Sequence, residues 1–527
     1  MIRSKQAALL GPLVLLVAGL CVEVDAQEAS VLKQEAYRFI DDRADLLGRI
    51  GDAIFSYSEL GFQEVNTVRL IAKTLDEAGF DVQVGVAGMP TAYMATYGSG
   101  RPVIGLMADY DGIPGGSQRP AVLTHSPIAE GAPGHGEGHN TNPPTTIGAA
   151  LAMKDLIDRH ELSGTLIVYG GPAEELVASR GYMVKAGLFD GVDLAMDAHI
   201  STEFGTSHGL GNLAIVSVRW TFKGEQAHAA RPWTGKSALD AVELMNAGMN
   251  WRREHLPLEQ RFHYVITNGG EQPNVVPAEA EVWYYFRHTS YEDLVELLEI
   301  GRKVAHGAAE MTGTTVSERI LSGSWPFYGN KALAELLYEN VERVGMPEWS
   351  EDDRVFARAF QTAMGAELVG LPDEVSPLYE SRQGSSSSDV GDITWNIPYA
   401  RLRFPSQIAG TLGGHHWSAA IVPATPVAHK GIVAGAKALA GTMVDLFTDP
   451  SKVQAIREDF ERQVAGVVWK SLIPDGAEPP TFLNTEKMAK WRLLLEPYYY
   501  DVDSPRTLLQ EWGIEYPPPV RDGGPGR

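Results

Sequence analysis

The stretch VIGLMADYDGIPG, residues 103–115, is where the fold first becomes readable. Residues 103–108 form a short apolar run of strand length, and the acids Asp109 and Asp111 follow at once, ahead of a turn rich in glycine and proline. Working outward, further short apolar runs lie at 92–97, 165–169 and 193–196, and helical patterns lie at 42–58, 66–79 and 146–159. Strands alternating with helices imply an α/β domain whose mostly parallel sheet is covered on both faces. In such sheets the loops leaving the carboxyl ends of the strands build the site, so Asp109 and Asp111 stand where chemistry is expected.

The pattern changes near Asn212. A long alternating strand at 213–223 is followed by a helix at 237–252, strands at 262–267 and 280–287, a helix at 291–311 and a strand at 315–321. That order, strand-helix-strand-strand-helix-strand, is the split βαβ arrangement of a small two-layer α+β domain inserted into the first. The expected division is a signal at 1–26, a catalytic domain at 27–211, the insert at 212–322, the rest of the catalytic domain at 323–465, and a C-terminal extension at 466–527. The extension holds Trp491, Trp512 and a Tyr498-Tyr499-Tyr500 run among its prolines, so it is expected to wrap the catalytic domain. There is no internal repeat of solenoid period.

Arg3 and Lys5 precede an apolar run at 7–20, and Val24-Asp25-Ala26 offers small residues for cleavage before Gln27. The run contains Gly11 and Pro12 and is too short to span a bilayer, which favours export over a membrane anchor. Leu20 is a poor neighbour for lipidation at Cys21. No later apolar stretch reads as membrane length. Cys21 is the single cysteine, so the mature chain is expected to have no thiol ligand or nucleophile, as suits a secreted or periplasmic protein. With 67 acidic against 44 basic residues, a net charge of -23 argues against nucleic acid and anionic membranes as partners.

Five segments offer donors. Asp109 and Asp111 can touch an ion, orient a ligand or cap the turn. In GHGEGHN, residues 134–140, Glu137 and His139 point the same way if the loop is extended and can hold one ion or straddle two. GGPAEE, residues 170–175, places Glu174 and Glu175 at a strand end, where one can bind metal and the other act as general base, or both can favour a helix start. His199 ends MDAH, and GGHHW, residues 413–417, holds His415 and His416, which can ligate or pack. Together these oxygen and imidazole donors suit Zn²⁺ or Mn²⁺.

The order of segments and five phrases, GHGEGHN, GGPAEE, FKGEQAHAARPWTGKSALDAV (222–242), PNVVPAEAEVWYYFRH (273–288) and SSSSDVGDITWNIP (385–398), resemble the M20 family of metallopeptidases and amidohydrolases over about residues 35–447. Within it they are most similar to the branch of aminobenzoyl-glutamate hydrolases, aminoacylases and auxin-conjugate hydrolases. The resemblance implies Glu174 as general base, Glu137, His139, Glu175, His199 and His415 as ligands of two divalent ions, and Asp111 as an acid that orients a ligand. It further implies that His228 stabilises the transition state across a homodimer, and that Asn274 and Arg287 contact substrate or partner. Two positions depart from the branch: Glu137 stands where a cysteine ligand is usual, and Asp109 where many members have histidine. The implied reaction is hydrolysis of a small-molecule amide, an N-acyl or aminobenzoyl amino acid, by metal-activated water. The alternatives are a dipeptidase or aromatic deaminase using the same site, and a catalytically silent binding protein.

Overall fold

The computed structural model describes residues 26–519. The expected signal therefore lies outside the described residues up to its final position, where a helix, Ala26–Asp41, begins. Before the insert come β1 (Asp81–Val84), β2 (Tyr93–Ser99), β3 (Val103–Ala108), β4 (Gly164–Gly170), β5 (Leu194–Ser201) and β6 (Gly205–Leu210). The insert supplies β7 (Ala214–Lys223), β8 (Arg261–Asn268), β9 (Glu279–His288) and β10 (Thr315–Ser324). After it come β11 (Tyr328–Gly329), β12 (Tyr379–Glu380) and β13 (Tyr399–Pro405).

The large sheet runs β1-β2-β4-β3-β5-β13-β6-β11, with β12 added beside β6. Its centre is parallel, since β3 pairs in parallel with β4 and β5, and β5 with β13. Its edges are antiparallel: β2 runs against β4, and β6 against β13. The composition of β3 explains its central place: five of its six residues are buried, leaving no polar face to show to water. This is the α/β class expected from residues 103–115.

The insert forms a separate four-stranded antiparallel sheet, β10-β7-β9-β8, the split βαβ order. Along β9, EAEVWYYFRH, buried residues alternate with more exposed ones, so one face packs on the helices Ala238–Arg252 and Tyr291–Thr312. Both helices begin at a serine, Ser237 or Ser290, whose side chain accepts a backbone N–H of the first turn.

Two local expectations need correction. The helix expected at 146–159 begins at Asn142, because Pro143 and Pro144 occupy first-turn positions where a missing N–H costs nothing. The helix Pro426–Thr448 is long and apolar enough to cross a membrane, contrary to the reading that no later stretch is. In this structure 89% of that apolar window is buried, against the helices Asn142–His160 and Lys331–Val344, so it is a core helix.

The extension folds back along the catalytic part. Lys185 Nζ donates to Ile473 O (2.9 Å), Asn484 Nδ2 to Gly61 O (3.1 Å), Arg492 Nη2 to Gln63 O (2.9 Å) and Tyr516 Oη to Asp353 Oδ1 (2.8 Å). Leu495, Tyr500 and Leu508 share an apolar cluster with Phe55. The tail thus braces the 59–64 loop, and that loop bears on the site.

Candidate metal centre

Each donor segment is carried to the carboxyl edge of the parallel strands. Asp111, buried just beyond β3, connects two of them: its Oδ1 accepts from His139 Nδ1 (3.2 Å) and its Oδ2 from the Glu175 backbone N–H (3.0 Å). The turn into His139 depends on Gly138, whose φ of +68° is a left-handed conformation that L side chains resist. Beyond β4, Ala173 adopts φ +57°, and that strain is held by Glu64, whose carboxylate accepts the Ala173 N–H at 2.8 Å. Glu64 is fully buried, and Thr91 Oγ1 donates to its other oxygen (2.8 Å). His199 lies within β5 rather than just past it, with Nδ1 3.2 Å from Ile200 O. His415 Nε2 sits 3.2 Å from Glu175 Oε2 and 3.4 Å from Glu137 Oε1. Gly414 leaves room for this meeting, since a Cβ there would fall 1.8 Å from Glu137 Oε1.

These side chains line one cavity of about 570 Å³ with Glu137, His139, Glu174, Glu175, His199, Arg287 and His415 on its wall. His139 is the meeting point. Its ligand atoms group with those of Glu174 and Glu175, and again with those of Asp109 and His199, each group lying within 4.8 Å. The rings of His139 and His199 meet edge to face at 5.4 Å.

A divalent ion fits this set. His139 Nε2 and Glu175 Oε1 are buried with no hydrogen-bond partner, and buried polar atoms left so are costly without a ligand. Asp111 on Nδ1 fixes the tautomer that aims Nε2 into the cavity, the usual outer support of a metal-binding imidazole. Burial pushes the Glu137, Glu174 and Asp111 carboxyls up, and crowding by Glu175 adds to this at all three. Burial disfavours charge on His139, yet the Asp111 hydrogen bond and the Glu175 carboxylate outweigh it and raise that pKa to about 10. Acids so placed call for positive charge. His199 is driven the other way, by burial and by the charges of Arg401 and His139, towards the neutral imidazole that ligation requires.

The two vicinal glutamates are anchored unequally. Glu175 is tied through its backbone to Asp111 and through its carboxylate to His415. The Glu174 carboxylate makes no hydrogen bond or ion pair among the described residues, and it borders the same cavity.

Asp109 was left out of the expected ligand set, but the structure brings it within ligand range of His139 and His199. It also pairs with Arg180, which is wholly buried and reaches Asp389 at 3.0 Å on its other side. Asp389 in turn accepts the backbone N–H of Ser179 (2.9 Å) and of Arg180 (3.1 Å). Arg180→Ala should strip two buried carboxylates of their counter-ion and cost about 3–5 kcal/mol of stability. Thermal unfolding of metal-free protein reads this as a large fall in midpoint; an unchanged midpoint would show that the triad is not a structural clamp.

His228 and Asn274 are exposed on the inserted domain and do not line the cavity of their own chain, whereas Arg287 does. Sequence reading missed Glu64, Arg180, Arg401 and Arg403. The last two had a signal: arginines two apart in an otherwise apolar strand, YARLRFP, must face the same way.

A model of the peptidase dimerisation domain matches residues 210–309. The chain is 34% identical to one of the two subunits of the p-aminobenzoyl-glutamate hydrolase of Escherichia coli, over 85% of this chain and 99% of that one. It is 28% identical to the Xaa-Arg dipeptidase of Mus musculus, over 83% and 94%. Among solved structures, a dinuclear metal-binding M20 peptidase of Bacillus subtilis superposes with a TM-score of 0.50 at 19% identity, covering 78% of this chain and 99% of that one. The Klebsiella pneumoniae aminobenzoyl-glutamate utilization protein gives 0.51 at 17%, covering 78% and 97%.

Proposed function

The chain belongs to the M20 family of metal-dependent peptidases and amidohydrolases, and on that premise we propose that it hydrolyses the amide bond of N-acyl or aminobenzoyl amino acids. The unequal anchoring of Glu174 and Glu175 carries this reading. It leaves one carboxylate fixed to hold metal and its neighbour free to move a proton, as hydrolysis requires.

Glu137, His139, Glu175, His199 and His415 would hold two divalent ions, with Asp109 within reach. Such ions supply Lewis-acid charge to the scissile carbonyl and acidify water. Glu174 takes the proton of the attacking water and passes it to the leaving amine. Asp111 keeps His139 and the Glu175 backbone in register. Arg287, on the cavity wall without a carboxylate partner, is placed to meet the amino acid's carboxylate. Glu137, a carboxylate where related chains use cysteine, favours Mn²⁺ more than a thiolate would and resists oxidation. That agrees with export to a secreted or periplasmic location through the segment 1–26.

The protein works as a homodimer in this reading, with His228 and Asn274 completing the neighbouring site. Mixing Glu174→Gln with His228→Ala chains under exchange should restore part of the activity lost in each. Verified heterodimers without any recovery would place His228 outside the partner's site.

The reading is tested with a panel of N-acetyl and p-aminobenzoyl amino acids beside Xaa-Arg dipeptides. Metal-loaded protein should release amino acid from the acylated substrates, and chelation should abolish it. Cleavage of free dipeptides alone would make it a dipeptidase. No turnover of any panel member by metal-loaded protein would favour a silent binding protein.

A further inference from the structure

The cavity that holds the carboxylates and imidazoles is also lined by four arginines, Arg287, Arg382, Arg401 and Arg403, in a chain of net charge -23. Cations that a strongly acidic protein gathers in one cavity need an accounting one by one. Arg401 is spent within the protein, its Nε on Asp197 Oδ2 at 2.8 Å. Arg382 is exposed at the rim. Arg287 reaches only Ser385 O, at 3.5 Å, and its Nε is buried without a partner.

Arg403 is the informative one. It lies two residues beyond Arg401 on β13, and its backbone is the register partner of His199 on β5. In parallel strands register partners point to the same face, so Arg403 stands one strand, about 4.8 Å, from a metal-binding imidazole. Its Nη1 donates to Tyr379 Oη, which leaves the tyrosine proton free to donate, and Ser207 Oγ is 3.5 Å away. Arg403 packs over the Tyr379 ring at 4.8 Å. Glu203 approaches Nε only to 3.4 Å and is itself about half exposed. Nε and Nη2 are buried and lack hydrogen-bond acceptors. Two adjacent guanidinium donors without acceptors, beside a free phenol proton, match the two oxygens of a carboxylate.

We propose that Arg403, Tyr379 and Ser207 form a second carboxylate subsite, so that the preferred substrates are N-acyl amino acids bearing two carboxylates, one met by Arg287 and the other by Arg403. This rests on the amide-hydrolase reading above and narrows its substrate class. A basic side chain directed at Arg403 is repelled, which separates this site from one built for Xaa-Arg dipeptides.

The second carboxylate can belong to the amino acid or to the acyl group, and two matched pairs separate these sources. They are N-acetylglutamate against N-acetylglutamine, and N-succinylalanine against N-butyrylalanine. Metal-loaded wild type should prefer the acidic member of one pair at least tenfold in kcat/KM, and that pair names the source. Arg403→Gln should reduce that ratio to about threefold or less, chiefly through KM; Arg403→Lys should recover part of it, and Tyr379→Phe should reduce it partly. Equal rates within both pairs, or a ratio unchanged in Arg403→Gln, would overturn the subsite. Should wild type cleave neither pair, the hydrolase reading fails separately, and calorimetric titration with the four compounds still decides the subsite. Tighter binding of an acidic member, lost in Arg403→Gln, supports it, and equal binding within each pair sinks it.

Discussion

Glu174→Gln should keep the metal content of wild type while losing about a hundredfold or more in turnover, the usual worth of a positioned general base. The expectation comes from what surrounds the two glutamates. Glu175 is held at both ends, by Asp111 on its N–H and by His415 on its carboxylate, and its Oε1 is buried without a partner, as a metal ligand's would be. Glu174 has neither tether. Burial raises its carboxyl above the ordinary range, which moves a weak base towards the acidity at which it can both take and return a proton near neutrality. The amide keeps size and shape and removes only proton transfer. Metal analysis and single-turnover rates of the same preparation decide it. Loss of metal in step with activity would exchange the roles of Glu174 and Glu175.

His139→Ala should lower metal affinity by about a hundredfold or more and reduce activity to background. Changing an outer partner of a metal-binding histidine already costs about 10–100-fold, and this residue is the ring itself. His139 belongs to both groups of converging ligand atoms, and its Nε2 is aimed into the cavity by Asp111. Asp111→Asn, which keeps the ring but weakens its orientation, should lie between wild type and His139→Ala. Equilibrium dialysis of the three proteins reads the order. Full metal occupancy in His139→Ala would move the centre to Glu137, Glu175 and His415, and leave His139 a structural histidine.

Much of this could be read in the chain because the signals were local. β7 to β10 alternate with period two, and their serine-capped helices begin where side chains can accept the first free N–H groups. The donors were legible because each sits beside a glycine-rich turn following or flanking a strand. What escaped was long-range. Glu64 meets Ala173 from 109 residues away, and Arg180 meets Asp389 across 209, so neither pairing leaves a pattern in its own segment. Nothing in β2 announces that it runs antiparallel to β4, because one apolar run pairs either way. Pro143 and Pro144 delayed the apparent start of a helix that tolerates them at its first turn. The apolar length of Pro426–Thr448 escaped notice, and only packing shows it to be a core helix. Arg403 had the period-two signal, but its meaning depended on His199 one strand away.

Amide hydrolysis here requires metal held at His139 and Glu175, and one titration tests that central claim most directly. Metal-stripped protein is loaded stepwise with Mn²⁺ or Zn²⁺, and the hydrolysis rate of an N-acyl amino acid is measured against bound ion per chain. The expected result is no activity in the stripped protein and a rise that levels off at two bound ions per chain. Stripped protein that hydrolyses the amide as fast as the loaded form would contradict it.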